Sequence, residues 1–333
     1  MKFFECFWGQ SGTGKSTAVA SLIMQHYQKT GQKTLVWVGD GSSATYEPLV
    51  DAGLVDMTDY SARDWPFSTT KRMAEGFIPE DLQDPTSPMR PMTEAERARY
   101  AMFVFEGMSV ASTYVMGSRK GGISDRGAKG EKIAGDSPIQ ILDVEREASG
   151  MPKKGSGTGE AFGGVTLGGY GVVQRHMLQV LEASKALPGW VIWTGHERTA
   201  EDKITGQKVV GPELAGSAMT ASLSRVFNNT LHFSTAERTV KKTDAHTQKS
   251  VDELDVEYRI YVKDHFRPEG GTYTKYKAVA RHPDPNGNLY GGSPTDDALP
   301  LYFESDKPGE SILQFYAHIA KAQARQKAFL QKT

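Results

Sequence analysis

Apolar runs on either side of an amphipathic stretch open the chain, and together they predict a strand, a helix and a second strand. Phe3 to Trp8 is an aromatic, strand-like run, and Lys33 to Val38 is a continuous apolar run typical of a buried parallel strand. Between them, apolar residues recur at helical spacing from Ser16 to about Gln28. Strand, glycine-rich turn, helix and strand in this order predict a βαβ unit.

Further apolar runs predict that the sheet continues along the chain. Ala101 to Phe105, ending at Glu106, and Trp190 to Trp193 are the third and fourth predicted strands. Thr93 followed by Glu96 is typical of a capping box and predicts a helix before the third strand. Three β-patterned runs follow, which we expect to add antiparallel strands toward the C-terminus: Ser224 to Thr235, Leu254 to Lys263 and Tyr273 to Arg281. The predicted fold class is α/β, with a mostly parallel sheet and helices on both faces.

Polar and glycine-rich stretches interrupt these elements and set the predicted domain boundaries. Residues 117–170 form a long glycine-rich insertion, and 198–215 are predicted to be another polar loop. We divide the chain into a core over 1–282 and a C-terminal extension over 283–333. The extension ends in a predicted helix from Gly309 to Lys332, which has several basic side chains and is predicted to be a solvated helix or a surface for DNA or an acidic neighbour.

Composition narrows the class of protein without changing the predicted fold. Hydrophobic residues make up 38% and charged residues 24% of the 333 positions, which is enough apolar material for a core. The 39 Lys and Arg residues nearly balance the 40 Asp and Glu residues, which excludes a strongly basic, histone-like binder. With Cys6 as the only cysteine, neither an intramolecular disulfide nor a thiolate-rich zinc site can form. We recognise no signal peptide or membrane span and expect a cytoplasmic protein.

A phosphate-binding loop follows the first predicted strand. The match to the pattern G-x-x-x-x-G-K-[ST] comprises Gly9, Gln10, Ser11, Gly12, Thr13, Gly14, Lys15 and Ser16. Glycines let backbone N–H groups surround phosphate oxygens, and the helix that continues through Thr17 adds its positive N-terminal end. We expect Lys15 to neutralise the β- and γ-phosphates and the Ser16 hydroxyl to bind Mg²⁺. The predicted ligands are therefore ATP and Mg²⁺.

Three further candidates each follow a predicted strand, at the sheet edge where such folds bind ligands. Glu106 is the candidate for a second Mg²⁺ ligand, and an ordinary strand-end carboxylate is the alternative. Asp40 is the candidate general base for the attacking water, with a helix cap or loop role as the alternative. His196 is the candidate γ-phosphate sensor, with a structural histidine as the alternative; Glu197 is either its partner or a solvent-facing residue.

These segments, in this order, resemble the RecA-type ATPase core. They are most similar to the small RecA-like ATPases of bacteriophages, which include the Sak-type recombination proteins and related phage nucleotide-binding proteins. The resemblance spans about residues 3–282. Besides the phosphate-binding loop, it rests on five segments: Val36 to Asp40, Phe103 to Ser109, Ile192 to Glu197, Gly216 to Phe227 and Ala278 to Arg281. The chain departs from the family pattern where Glu106 and Gly107 replace the commoner Asp-Ser.

The resemblance implies a RecA-like P-loop ATPase, that is, a Mg²⁺-dependent phosphoanhydride hydrolase coupled to single-stranded DNA binding in phage recombination or replication. It implies water activation by Asp40 and γ-phosphate sensing by His196, with DNA-binding loops at about 117–168 and 198–215. The implied partners are further copies of the chain and other phage replication or recombination proteins, in the host cytoplasm. Candidates for a cation donated to the neighbouring subunit are Arg198, Lys203, Lys263 and Arg281.

Two other functions stay open from the residues alone. A small-molecule kinase also begins with such a loop, and 117–171 has room for a lid, although Arg119, Arg126 and Arg146 are widely spaced. A nucleotide-binding structural or assembly protein of a phage, with slow turnover, is the other alternative. The irregular pair Glu106-Gly107 favours it.

Overall fold

The computed structural model describes residues 2–60, 67–84, 86–115, 167–201, 206–214, 220, 223–243, 250–269, 272–281 and 299–331. Their strands are β1 (Phe4–Gly9), β2 (Lys33–Val38), β3 (Val55–Asp59), β4 (Phe77–Pro79), β5 (Met89–Pro91), β6 (Tyr100–Glu106), β7 (Trp190–Gly195), β8 (Glu197–Glu201), β9 (Lys208–Pro212), β10 (Asn229–Thr243), β11 (Ser250–Tyr261), β12 (His265–Glu269), β13 (Thr272–Tyr276), β14 (Val279–Ala280) and β15 (Tyr302–Ser305). Their helices are α1 (Lys15–Thr30), α2 (Glu47–Asp51), α3 (Phe67–Ala74), α4 (Glu94–Arg99), α5 (Met108–Val115), α6 (Leu167–Ser184) and α7 (Glu310–Leu330). The predicted capping box of Thr93 and Glu96 is present at the start of α4.

The central sheet is mixed and mostly parallel. Its strand order is β15-β11-β10-β1-β7-β6-β2-β3, and β14 pairs with β10 beside this path. The neighbouring strands β10, β1, β7, β6, β2 and β3 run parallel. Strands β11, β14 and β15 pair antiparallel. The predicted α/β class, with antiparallel strands added toward the C-terminus, is confirmed.

Both faces of this sheet are covered, because successive side chains of a strand point to opposite faces. On one face, Trp37, Phe105 and Trp193 stack across β2, β6 and β7 with ring centroids 4.5 and 4.2 Å apart. They share a core with residues of α3, α5 and α6. On the other face, Val36 and Val104 pack with residues of α1 and α7. Helices therefore lie on both faces, and the central strands are mostly apolar, with buried polar exceptions such as Glu5 of β1 and Glu106 of β6.

The carboxyl ends of the parallel strands bring the candidate residues to one edge of the sheet. β1 ends at Gly9, where the phosphate-binding loop begins. The register pairs Val38 of β2 with Glu106 of β6, so Asp40, two residues beyond Val38, lies at the same edge. His196 directly follows β7, the strand between β1 and β6.

The last described segment joins the same sheet and core. Strand β15 pairs with β11, and α7 packs against α1. Between them, Gly309 approaches α1 so closely that a Cβ atom added to it would lie 2.3 Å from Ser21 Oγ. Residues 299–331, which the sequence places in the C-terminal extension, thus cover the helix that begins at the phosphate-binding loop.

A second sheet, with strand order β12-β13-β9-β8, occupies part of a region predicted to be loop. The interpretation of 198–215 as a polar loop is wrong for β8 and β9, which pair with each other antiparallel. Strand β9 also pairs parallel with β13, far along the chain, and its Val209 and Val210 are buried. Such non-local pairing leaves little trace in a short polar sequence. Of the predicted insertion over 117–170, residues 117–166 lie outside the described residues.

Candidate functional site

The phosphate-binding loop connects β1 to α1 in a shape that its glycines permit. A Cβ atom added to Gly9 would lie 2.2 Å from the backbone oxygen of Phe233, so no larger residue fits there without movement. Gly14 precedes α1 in the left-handed conformation, with φ +83°, which side chains other than glycine rarely adopt. Glycine has no side chain with which to cap the helix, so the first N–H groups of α1 are left for another partner.

Lys15 is folded back into the loop. Its Nζ donates to the backbone oxygens of Gly9, at 3.0 Å, and Gln10, at 2.7 Å. Burial lowers the pKa of Lys15, and the negative charges of Glu106, Asp40 and Glu197 oppose this effect. Burial outweighs these carboxylates on balance, and the ammonium group lies on the sheet edge predicted for it.

A cleft of about 360 Å³ opens beside the loop. The cleft is formed by the phosphate-binding loop, the residues that follow β2, and His196. Tyr258 and Pro308, from late in the chain, complete it. The lining residues are Ser11, Gly12, Gly14, Lys15, Ser16, Thr17, Asp40, Gly41, Ser42, Thr45, His196, Tyr258 and Pro308. Asp40, Lys15, Ser16 and His196 thus share one cleft, whereas Glu106 does not line it.

Glu106 is buried directly behind the cleft. Its side chain is enclosed, with 1% of its surface exposed, and accepts hydrogen bonds from Tyr46 Oη on Oε1 and Thr194 Oγ1 on Oε2. Burial, with the nearby charge of Asp40, raises its pKa to about 7. Burial raises the pKa of Tyr46, and its interaction with the Ser16 side chain opposes this effect. The geometry connects Glu106 to Ser16 through Tyr46, and a direct contact between Glu106 and Mg²⁺ stays a prediction.

Asp40 faces the cleft from a tight turn. Its Oδ1 accepts hydrogen bonds from the Ser42 hydroxyl, at 2.7 Å, and the Ser42 N–H, at 3.3 Å. The loop role left open by the sequence is thus present, and it holds the carboxylate at the cleft. Gly107 packs against Asp40 with φ +90°, and a Cβ atom added there would lie 3.2 Å from Asp40 Cβ. This contact explains why glycine follows Glu106, where the RecA-like pattern more often has serine.

His196 and Glu197 contact different parts of the site, and γ-phosphate sensing by His196 stays a prediction. His196 lines the cleft, and its backbone N–H donates to Ser109 Oγ at 3.0 Å. Glu197 contacts the loop itself, because its Oε1 accepts a hydrogen bond of 2.8 Å from Gln10 Nε2. Its Oε2 lies 3.4 Å from Nε2 of the buried His232. Burial opposes the charge of Glu197, but the bonds from His232 and Gln10 outweigh it and lower its pKa.

His232 belongs to an aromatic stack that sequence reasoning missed. Its ring stacks on Trp8, the residue before Gly9, with centroids 4.2 Å apart. On its other side lie His265 and Tyr276, with centroids 5.2 and 5.0 Å from its own. The stack joins β1 and β10 to the second sheet. No local sequence motif predicts it, because its members come from four different strands.

The remaining predicted residues are dispersed. Arg198 donates to the backbone oxygen of Leu214, and Lys263 to that of Leu299. Arg281 is exposed, and Lys203 lies outside the described residues. Residues 117–166 of the predicted DNA-binding loop at about 117–168 and the kinase-lid arginines also lie outside the described residues.

The cleft offers oxygen donors that suit Mg²⁺. The Ser16 hydroxyl and the Asp40 carboxylate both line it, and such sites commonly use few protein ligands together with the phosphates of a nucleotide. Among the described residues there is no group of three or more His, Cys, Asp or Glu side chains that would hold a metal ion by itself. The donor set therefore fits Mg²⁺ brought with a nucleotide.

Within the described part of the chain, no helix has the length and apolar character needed to cross a bilayer. A scan against protein-family models finds no family that matches this chain, and a search of curated proteins finds no matching relative.

Proposed function

We propose that this protein is a Mg²⁺-dependent P-loop ATPase of the RecA-like type. The observation that carries the proposal is the shared cleft in which Lys15, Ser16 and Asp40 face the glycine loop at the carboxyl edge of a parallel sheet. A lysine for phosphate charge, a hydroxyl for the metal and a carboxylate for water are the parts that nucleotide hydrolysis requires. The α/β fold and the order of the motifs support the RecA-like assignment.

Each residue has a separate task in this proposal. Lys15 exchanges the carbonyls of Gly9 and Gln10 for phosphate oxygens, which bind its ammonium more strongly. Asp40, held by Ser42, accepts a proton from water as the water oxygen bonds to the γ-phosphorus and the bond to the bridging oxygen breaks. The products are ADP and inorganic phosphate. Bound Mg²⁺ would be held by Ser16 and would neutralise charge on the β- and γ-phosphates.

Phosphate release from ATP tests this proposal. The purified protein should release phosphate in the presence of Mg²⁺, and Lys15→Ala and Asp40→Asn should each lower turnover at least tenfold, the second without loss of ATP binding. Lys29→Ala, at the exposed end of α1, is the matched control and should leave turnover unchanged. Equal turnover in the wild type and in Asp40→Asn would remove Asp40 from the proposed mechanism.

A nucleotide-binding structural protein with slow turnover is the second candidate. The observation that favours it is the enclosure of Glu106, whose two oxygens accept bonds from protein hydroxyls. ATP would then stabilise one conformation without being consumed quickly. Measuring the melting temperature and the turnover side by side distinguishes the two functions. A strong rise in melting temperature with ATP, without phosphate release, would favour the structural role.

Single-stranded DNA is the proposed effector of the ATPase, in phage recombination or replication, and a homo-oligomer is the proposed assembly. Their support is the resemblance of the motifs in sequence. The tests are phosphate release with and without an oligonucleotide at several salt concentrations, and gel filtration with a non-hydrolysable ATP analogue. Turnover that DNA leaves unchanged would remove the coupling, and a monomer under all conditions would remove the assembly.

A further inference from the structure

The cleft has a second wall that the proposed chemistry does not use. Asp40 and His196 lie on one side of the phosphate-binding loop, on the side of β7, β6 and β2. Tyr258 of β11 lies on the opposite side, beyond β10. Because neighbouring strands are about 4.8 Å apart, β11 lies roughly 10 Å from β1. The loop is therefore flanked by acid and histidine on one side and by an aromatic ring on the other.

This wall is built closely against the loop. A Cβ atom added to Gly14 would lie 3.3 Å from Tyr258 Cδ1 and 3.3 Å from Pro308 Cβ. The backbone of Tyr258 pairs with Thr235 on one side and Ser305 on the other, so two strands fix the position of the ring. The residue after Pro308 is Gly309, which packs on α1. The half-buried ring of Tyr258 and the exposed Pro308 both line the cleft and form an apolar surface there.

We propose that Tyr258 and Pro308 form the surface on which the base of the bound nucleotide lies. The inference rests on the proposed function, because it requires a triphosphate in the loop. When the β-phosphate occupies the loop and the γ-phosphate faces Asp40, the α-phosphate and ribose extend toward the other wall of the cleft. The flat face of a purine stacks on a tyrosine ring, and its edge packs against proline carbons. The site thus recognises a nucleoside triphosphate in preference to bare polyphosphate.

Calorimetric titrations with ATP and with inorganic tripolyphosphate, each with Mg²⁺, test this inference. We expect Tyr258→Leu to weaken ATP binding about tenfold and to leave tripolyphosphate binding unchanged, because only the contact with the base is lost. Tyr258→Phe should bind ATP as the wild type does. Tyr273→Leu, on an exposed tyrosine of β13, is the matched control.

If Tyr258→Leu weakens the binding of ATP and of tripolyphosphate equally, or weakens neither, the inference is overturned. The proposed phosphate site would not be affected by that result. A wild-type protein that binds neither ligand would overturn the proposed function and the inference with it. A comparison of ligands needs no variant and covers the case in which Tyr258→Leu does not fold. We expect the wild type to bind ATP about tenfold more tightly than ribose 5-triphosphate, which lacks the base, and equal affinity would contradict the stacking surface.

Discussion

Gln10 Nε2 of the phosphate-binding loop donates a hydrogen bond of 2.8 Å to Oε1 of Glu197, the first residue of β8. The other oxygen of Glu197 lies 3.4 Å from Nε2 of His232. One carboxylate therefore joins the loop to a buried histidine of β10 and to the edge of the second sheet. Its removal should affect both partners.

We expect Glu197→Ala to loosen the loop and to lower the pKa of His232. Burial already lowers this pKa, and Glu197 is the group that raises it, so its loss leaves burial unopposed. Histidine titration by NMR measures the pKa, and calorimetry should show ATP affinity reduced by a few fold. Glu201→Ala, at the exposed end of the same strand, is the control. An unchanged His232 titration in Glu197→Ala would contradict the contact.

Tyr46→Phe tests the connection between Ser16 and Glu106. The ring should keep its packing, while the loss of the hydroxyl leaves one buried oxygen of Glu106 without its donor. We expect the free energy of unfolding to fall by about 1.5–3 kcal/mol, the usual contribution of a hydrogen bond to a charged group. The Mg²⁺ concentration for half-maximal turnover should rise, because Ser16 loses its partner.

Chemical denaturation and a Mg²⁺ titration of turnover measure these two effects. Tyr27→Phe, on the outer part of α1, serves as the control and should change neither quantity. If Tyr46→Phe lowers stability but the Mg²⁺ dependence stays that of the wild type, Tyr46 has a structural role alone.

Two buried carboxyl groups, Glu5 and Glu106, should each contribute stability in mild acid that is lost toward neutral pH. Burial raises the pKa of Glu5 from 4.5 to about 7, and it raises the pKa of Glu106 to about 7 as well. Glu5 accepts hydrogen bonds from Tyr316 and Asn229. At each of these two groups the folded state then binds more protons than the unfolded state, so the group's contribution to stability is full below pH 4.5 and is lost as pH rises through 7. For each group, the loss amounts to at most about 3 kcal/mol.

Glu5→Gln isolates the contribution of Glu5 to the pH dependence of stability, because the amide keeps the shape of the side chain and does not titrate. We expect urea unfolding to show a shallower decline of stability between pH 4.5 and 7 in this variant than in the wild type. Glu75→Gln, on a partly exposed carboxylate, should retain the wild-type slope. An identical slope in Glu5→Gln and the wild type would show that Glu5 does not bind the extra proton.

Gly107→Ala should destabilise the protein and lower its turnover. Its φ of +90° strains any side chain, by about 1–2 kcal/mol, and the new methyl group would press on Asp40. Gly31→Ala is the matched control, because Gly31 has φ +69° and nothing within 4 Å of an added Cβ atom. Thermal unfolding should show a loss of stability in both variants, whereas only Gly107→Ala should lower the rate of phosphate release. Equal turnover in the two variants would mean that the contact with Asp40 does not matter.

The parts of the molecule that local sequence determines could be predicted. The βαβ unit follows from apolar periodicity and the glycine turn, and the strand ends follow from continuous apolar runs. Because parallel strands share a carboxyl edge, these ends place Asp40, Glu106 and His196 at the edge where Lys15 lies. The burial of Glu106 could not be predicted, since Tyr46 and Thr194 come from other elements and form no motif with it.

The second wall of the cleft was missed for the same physical reason. Tyr258 reaches the loop through the antiparallel register of β10 and β11, and Pro308 through the path between β15 and α7. Both depend on pairing between distant segments, which periodicity does not encode. Strands β8 and β9 were predicted as loop because their pairing with β13 is equally remote.

Calorimetric titration of ATP with Mg²⁺ into the wild type and into Lys15→Ala tests most directly whether the glycine loop binds a nucleotide. We expect a saturable heat of binding to the wild type, and at least tenfold weaker affinity in the variant, whose melting curve without nucleotide should match that of the wild type. No binding to the wild type, or equal affinity in both proteins, would contradict nucleotide binding at this loop.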